Sequence, residues 1–473
     1  MKMLVAVAWL LCTGWVHADS LPAPLARVAK EHGLRAGELG LYIHVLGEKP
    51  PRLVYNAKRA MNPASAMKLL TTAAGLHLLG PTHSWRTEVH ADGPVKDGVL
   101  EGNLVIKGSG DPKLTLEEFW ALLRQVRARG VKNIHGELIL DRSIFDKVEG
   151  APGDFDGDAL RPYNALPDAL LVNFNAVRLN FIPNAESGLV DILMSPLLPE
   201  ITLRNDLHAV QAVCTDWPQD PAREPNSSEL WFKGEFPIPC GETARNYSPL
   251  SSPVYIEAVF RELWKEMGGT LSGQASDGMA SSTATFVAAH ESEPLAETIR
   301  DINKFSNNVM ARHLYLALGL AINVAPLNTE KSAQALKHWL QREGFDFPEL
   351  VVENGSGLSR VERISPEHLG KLLLWAAKSP LAPEFIASMP LSALDGTMRK
   401  RLKDSPTAGR AHIKTGYLEG VRASVGYVQD EEDNLVVVVC VVNGASARSS
   451  GAFHDAVIEW AHAKPVKKKC CKR

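Results

Sequence analysis

The chain has 473 residues, 45% hydrophobic and 22% charged, which is enough apolar material for two or three packed domains and excludes wholesale disorder. Its 51 basic and 54 acidic residues leave a formal net charge of −3. A phosphate backbone selects a basic face, so this balance argues against nucleic acid as the main partner.

Residues 1–18 read as a secretory leader. Lys2 gives a short positive start, residues 3–11 are an uninterrupted apolar run, and Val16-His17-Ala18 offers compact residues for cleavage before Asp19. The run is well short of the ~20 residues that span a bilayer. Leu11 is too bulky to make Cys12 a lipoprotein cysteine. No later stretch is long and apolar enough to span, so an exported, soluble product is expected.

Residues 41–46 and 53–56 predict a strand pair. Pro63-Ala-Ser65 follows, then a helical run over 66–79 that Gly80 ends. This helix is apolar nearly all round, which places it inside a core. From about 81 to 290 the chain reads as short strands, such as 102–107 and 136–141, between frequent Pro and Gly. Cys214 and Cys240 lie 26 apart there, in a polar, proline-bearing region. In an oxidising compartment they are the natural disulfide pair.

Residues 411–413, 423–429 and 435–442 predict strands. The last two flank Asp430-Glu-Glu-Asp-Asn434 and so form a hairpin. Cys440 inside it reads as a small buried hydrophobe. An amphipathic helix follows over 451–463. A basic tail, 464–473, ends the chain with Cys470 and Cys471 among lysines, and could touch anionic surfaces. Strands at both chain ends, with a buried helix after the first pair, predict one α/β domain closed by both ends. The middle is then an insertion rather than a domain in series.

Three motifs stand in a telling order: Ser65-Ala-Met-Lys68 at a helix start, Ser306-Asn-Asn308 in a turn between helical runs, and Lys414-Thr-Gly416 at the end of a predicted strand. Each alone is weak, since S-x-x-K arises by chance about once or twice in such a chain. Together they describe a nucleophile and its support. A serine hydroxyl attacks only when a base takes its proton. Lys68 is one helical turn from Ser65, on the same face. In a dry site beside another cation it can be neutral and serve as that base. Lys414 supplies the cation and attracts a substrate carboxylate, to which Thr415 adds a hydroxyl donor. Ser306 can relay a proton to a leaving amine, and Asn308 can hold Lys68 and a substrate amide. The N–H groups of Ser65 and of Tyr417, after Gly416, are candidate oxyanion donors.

This order of motifs is that of penicillin-binding proteins and class A β-lactamases. Further matches are Gly108-Ser-Gly-Asp-Pro112, Ile302-Asn-Lys-Phe-Ser-Asn-Asn308, Gly355-Ser-Gly-Leu-Ser-Arg360 and Asp395-Gly-Thr397. With these the chain resembles, over nearly its whole mature length, the D-alanyl-D-alanine carboxypeptidase/endopeptidases of the penicillin-binding protein 4 type (peptidase family S13). The separation of 238 residues from Lys68 to Ser306 suits that family's insertion and exceeds a β-lactamase interval.

The resemblance implies a β-lactamase/transpeptidase-like α/β core, residues 19–80 and 291–463, with two mostly β inserted domains, 81–173 with 251–290 and, nested within, 174–250. It implies cleavage of peptidoglycan stem peptides through an acyl-enzyme on Ser65, with no metal or organic cofactor, β-lactams as inhibitors, and a periplasmic location. A homodimer and weak membrane association of the tail are further expectations. The alternatives are a β-lactamase and a non-catalytic β-lactam or peptidoglycan-binding module. The resemblance also carries over a pocket for a diaminopimelate side chain: Asp158 for its ammonium, Tyr163 five residues on, and Leu358 and Arg360, with Arg360 for its carboxylate. Phe155 stands where the family commonly has Trp, and Tyr417 where Thr is common. Asp154 and Asp156 compete with Asp158.

Overall fold

The computed structural model describes residues 20–463 apart from 215–216, 218–219, 223–226 and 323–324. The leader, Cys12 and the basic tail with Cys470 and Cys471 lie outside the described residues. The core elements, in chain order, are α1 (Ala23–Glu31), β1 (Leu39–Val45), β2 (Leu53–Tyr55), α2 (Lys68–Leu78), α3 (Leu295–Lys304), α4 (Asn308–Ala317), α5 (Pro366–Ala376), β3 (Ala411–Leu418), β4 (Val421–Gln429), β5 (Leu435–Asn443) and α6 (Gly451–His462).

One five-stranded antiparallel sheet, in the order β3-β4-β5-β1-β2, joins the two chain ends. Leu39 to Val45 pair with Val442 to Val436 in an unbroken register. The valine run in β5 is explained by helices on both sheet faces. Val437, Val439 and Val441 point into a core with α2, α4 and α5, while Val436, Val438, Cys440 and Val442 point into a second core with α1 and α6. A strand covered on both sides reads as continuous rather than alternating hydrophobicity. Each such valine contributes roughly 1.5 kcal/mol or more by leaving water. Cys440 is a free, fully buried thiol.

α2 is buried from Lys68 to Leu76 on every side, which accounts for its lack of a polar face. It begins later than the sequence suggests, because residues Ala64–Met67 form a 3-10 turn ahead of it. β3 also differs from expectation. It runs on to Leu418, so Lys414-Thr-Gly416 lies within the strand, with Lys414 opposite Val425 and Gly416 opposite Ala423. The polar residues of that motif hide a strand that lies at the edge of the sheet and pairs along its length with β4.

Between α2 and α3 lies a five-stranded sheet of 86–92, 103–107, 138–141, 275–277 and 285–291 and a small four-stranded sheet. A further five-stranded sheet is built from residues 177–247. The inserted sheets share one hydrophobic cluster, in which Phe119 and Trp264 meet Leu179, Phe181 and Phe232. Cys214 and Cys240 form a disulfide, with Cα atoms 4.9 Å apart. Replacing both cysteines by serine should destabilise the 177–247 sheet by about 3 kcal/mol on the chain-entropy account. Denaturant unfolding followed by tryptophan fluorescence checks this, and an unchanged midpoint would refute it.

Candidate active site

The site forms where the 3-10 turn before α2, the α3–α4 turn and β3 converge. Asn62 sets the first: its side chain accepts from the Ala64 N–H at 2.8 Å and donates to the Ser359 carbonyl at 2.8 Å. Gly416 lets β3 pass close by, since a Cβ there would stand 2.6 Å from the Pro63 carbonyl oxygen. Gly357 has φ +80°, and a Cβ on it would fall on the Ala64 carbonyl oxygen. Both glycines are therefore required by close approach to the turn that carries Ser65.

Lys68 Nζ donates to Ser65 Oγ at 3.1 Å, to Asn308 Oδ1 at 2.6 Å and to the Ser356 carbonyl. Lys414 Nζ donates to Ser306 Oγ at 2.8 Å and to its neighbour's carbonyl, Thr415 O, at 2.8 Å. Both lysines are wholly buried, whereas Ser65, Ser306 and Thr415 are half-buried at the surface of the cleft. Ser306 takes a left-handed conformation, φ +58°, and the Asn307 side chain caps α4 by accepting from the Met310 N–H. Burial, then the neighbouring Lys414, holds Lys68 well below the usual lysine range. Burial alone pushes Lys414 down to about 7. Thr415 Oγ1 donates to Thr397 Oγ1 at 2.8 Å, and Tyr417 is 59% exposed on the strand beyond.

The three motifs thus meet in one place. The carried-over pocket residues are more dispersed. Arg360 is exposed, lies 4.8 Å over the Phe155 ring, and donates to the Glu419 carbonyl at 3.3 Å. Leu358, Ala64, Leu418 and Phe155 pack in one small cluster. Arg360, Leu358, Phe155 and Asp154 also line a cavity of about 470 Å³. Asp158 and Tyr163 are not among its lining residues. Asp158 instead pairs with Arg161 at 2.7 Å, and Tyr163 donates to Asp156 at 2.9 Å.

Sequence reasoning missed the Ser356 carbonyl on Lys68 and the Thr397 partner of Thr415. It also missed Arg312, whose charge works with Lys414 to lower Lys68, although Arg312 lies four residues after Asn308 and so one turn along the same helix face. A backbone acceptor leaves no trace in side-chain chemistry, so Ser356 had no signal. Among the described residues no cluster of three or more His, Cys, Asp or Glu is arranged to hold a metal ion.

The geometry is that of a serine–lysine centre on an antiparallel α/β core, backed by a second buried lysine on a facing serine. The chain belongs to the D-Ala-D-Ala carboxypeptidase 3 (S13) family, whose model matches residues 21–464. It is 25% identical over 401 residues to the D-alanyl-D-alanine carboxypeptidase DacB of Haemophilus influenzae, covering 83% of this chain and 82% of that one. It is 28% identical over 413 residues to the D-alanyl-D-alanine carboxypeptidase of Actinomadura sp. R39, with 84% and 76% covered. The crystal structure of penicillin-binding protein 4 from Haemophilus influenzae superposes with a TM-score of 0.77 at 23% identity, covering 92% of this chain and 97% of that one.

Proposed function

We propose that this chain is a serine D-alanyl-D-alanine carboxypeptidase and/or D,D-endopeptidase of peptidoglycan, acting through an acyl-enzyme on Ser65. The observation that carries this reading is the buried Lys68 amino group within hydrogen-bond reach of Ser65 Oγ, opposite a second buried lysine on Ser306. Family membership gives the bond that is cut.

In the reaction, the neutral Lys68 amine takes the Ser65 hydroxyl proton as Oγ bonds to the carbonyl carbon of the penultimate D-alanine. The Ser65 and Tyr417 N–H groups receive the oxyanion. The intermediate collapses by breaking the C–N bond. Ser306, whose oxygen accepts from Lys414, hands its own proton to the leaving amine and regains one from Lys68. Water then attacks the ester, Lys68 takes a proton from it, and the Ser65 hydroxyl is restored as the acid departs. Lys414 and Thr415 attract the carboxylate beyond the scissile bond. A β-lactam would present the same carboxylate and carbonyl and leave Ser65 as a slow ester.

Mass spectrometry of muropeptides after incubation tests the reading. Loss of a terminal D-alanine from monomers, or conversion of cross-linked dimers to monomers, is expected. Fast penicillin turnover with intact muropeptides would make the protein a β-lactamase instead, and penicillin binding without turnover of either would make it a binding module.

Specificity rests on Arg360, Leu358 and the acidic loop opposite. Arg360 presents a planar fork to the carboxylate of a diaminopimelate side chain; Asp158 with Tyr163 meets its ammonium, which requires Asp158 to exchange Arg161 for substrate. Arg360→Ala and Asp158→Ala should each lower kcat/KM for diaminopimelate peptides by roughly ten- to a hundredfold, while benzylpenicillin acylation stays near normal. Equal loss toward both compounds would refute the assignment. Residues 1–18 are read as a cleaved leader to the periplasm, 81–290 as the two inserted domains, and 464–473 as a weak contact to anionic membrane. A homodimer is also proposed. Among the described residues no helix is long and apolar enough to cross a membrane.

A further inference from the structure

The loop before Ser356, whose carbonyl accepts from Lys68, is held by side chains, and Glu362 makes most of those contacts. Glu362 is fully buried. Its Oε1 accepts from three successive backbone N–H groups, of Glu353 at 3.1 Å, Asn354 at 3.0 Å and Gly355 at 3.0 Å. The carbonyl of Gly355 accepts from Thr71 on α2 at 2.6 Å, and the next carbonyl is the one on Lys68. Asn354 Oδ1 in turn accepts from Ser356 N and Oγ, at 3.0 and 2.6 Å. A turn that accepts from the base is thus tied at one end to the helix carrying that base and at the other to a single carboxylate.

Charge adds a second reason. Lys414 and Arg312 both act on Lys68 in this region, and Glu362 is the acid that acts on both Lys68 and Arg312. Arg312 is otherwise faced by Glu353, an exposed residue. Tyr315, about two turns after Asn308 on α4, brings an un-ionised phenol toward Glu362. Glu362 Oε2 and Arg312 Nε have no protein hydrogen-bond partner among the described residues. Glu362 Oε2 thus forms no hydrogen-bonded salt bridge among the described residues, and Lys68 and Arg312 act with the carboxyl through space. Burial raises the Glu362 carboxyl, against which its three N–H donors and Lys68 work.

We infer that Glu362 is a positioning residue for the acylation step: it clamps residues 353–355 so that the Ser356 carbonyl stays on Lys68, and it supplies the negative charge that sets how readily Lys68 holds a proton. This rests on the serine–lysine reading above, and wild-type labelling of Ser65 by a fluorescent penicillin tests that reading separately. A carboxylate near Lys68 favours its charged form, so removing the charge makes the neutral base available at lower pH.

The experiment measures penicillin acylation rates from pH 5 to 9 in the full chain. Glu362→Gln should lower the plateau rate about tenfold and move the acid limb down by about one pH unit. Glu362→Asp keeps the charge but withdraws it by one methylene. It should lose rate by a similar factor with the limb within about 0.3 units of wild type. A slower Gln variant with an unmoved limb overturns the electrostatic role, and a normal rate in the Asp variant overturns the clamp. The Asp variant remains decisive for the clamp even where the Gln variant fails to fold.

Discussion

Ser65→Ala should leave a folded protein that takes up no fluorescent penicillin and cleaves no muropeptide, a loss of all measurable covalent labelling. The side chain is half-buried at the cleft and donates nothing that holds the fold together; the packing around it comes from Ala64, Ala66 and Met67. Removing Oγ deletes the acceptor for one of three Lys68 hydrogen bonds and leaves the other two, to Asn308 and Ser356, in place. The melting temperature should therefore stay close to that of the wild type. Gel fluorescence after penicillin treatment, read beside a thermal melt, makes the check. Persistent labelling in a folded Ser65→Ala protein would move the nucleophile elsewhere and leave Lys68 with no hydroxyl to deprotonate.

The parts of this molecule legible in the sequence were those with local chemistry or strong periodicity. The apolar run of α2 and the valine run of β5 announce burial whatever covers them. Asp430-Glu-Glu-Asp-Asn434 announces the hairpin, in which Asp430 accepts from Glu432 N and Asn434 N at 2.9 Å. The motif residues Ser65, Lys68, Ser306, Asn308 and Lys414 were legible as residue types, and the structure brings them together. What the sequence could not show was contact made at long range by backbone or by absence of a side chain. The Ser356 carbonyl is 288 residues from Lys68, whose hydrogen bond it accepts. Gly357 matters through an atom that it lacks. Glu362 looks like a surface acid beside Arg363, and only burial reveals the three N–H groups it accepts. The acidic loop is the opposite case. Asp154, Asp156 and Asp158 compete in sequence, where only the family spacing to Tyr163 favours Asp158, yet the structure gives each a different partner: the Ala151 N–H, the Tyr163 hydroxyl and Arg161. Nothing in residue spacing distinguishes those partners.

Lys68→Ala should slow penicillin acylation by about a thousandfold or more, near the upper range for loss of a positioned general base. The base must be neutral to act, so the wild-type rate should rise with pH through the Lys68 titration, which burial and Lys414 place well below the ordinary lysine range. Lys414 has the opposite requirement. It attracts a carboxylate only when charged, and with its value near 7 in the free protein the rate should fall as pH rises past that point. The result is a bell-shaped profile of kcat/KM whose acid limb belongs to Lys68 and whose alkaline limb belongs to Lys414. A bound carboxylate favours charged Lys414, so the alkaline limb should move upward in kcat compared with kcat/KM. Lys68→Ala should abolish the acid limb together with the rate, leaving weak acylation that still declines above neutrality. Lys414→Ala should do the reverse, removing the alkaline limb. It should also raise the proton affinity of Lys68, because the cation that depresses it is gone, and so push the acid limb upward. Rates measured for both variants over pH 5 to 10 decide the assignment. A Lys68→Ala protein that acylates at nearly wild-type speed would show that another group takes the serine proton, and an acid limb that survives the substitution would assign that limb to a different residue.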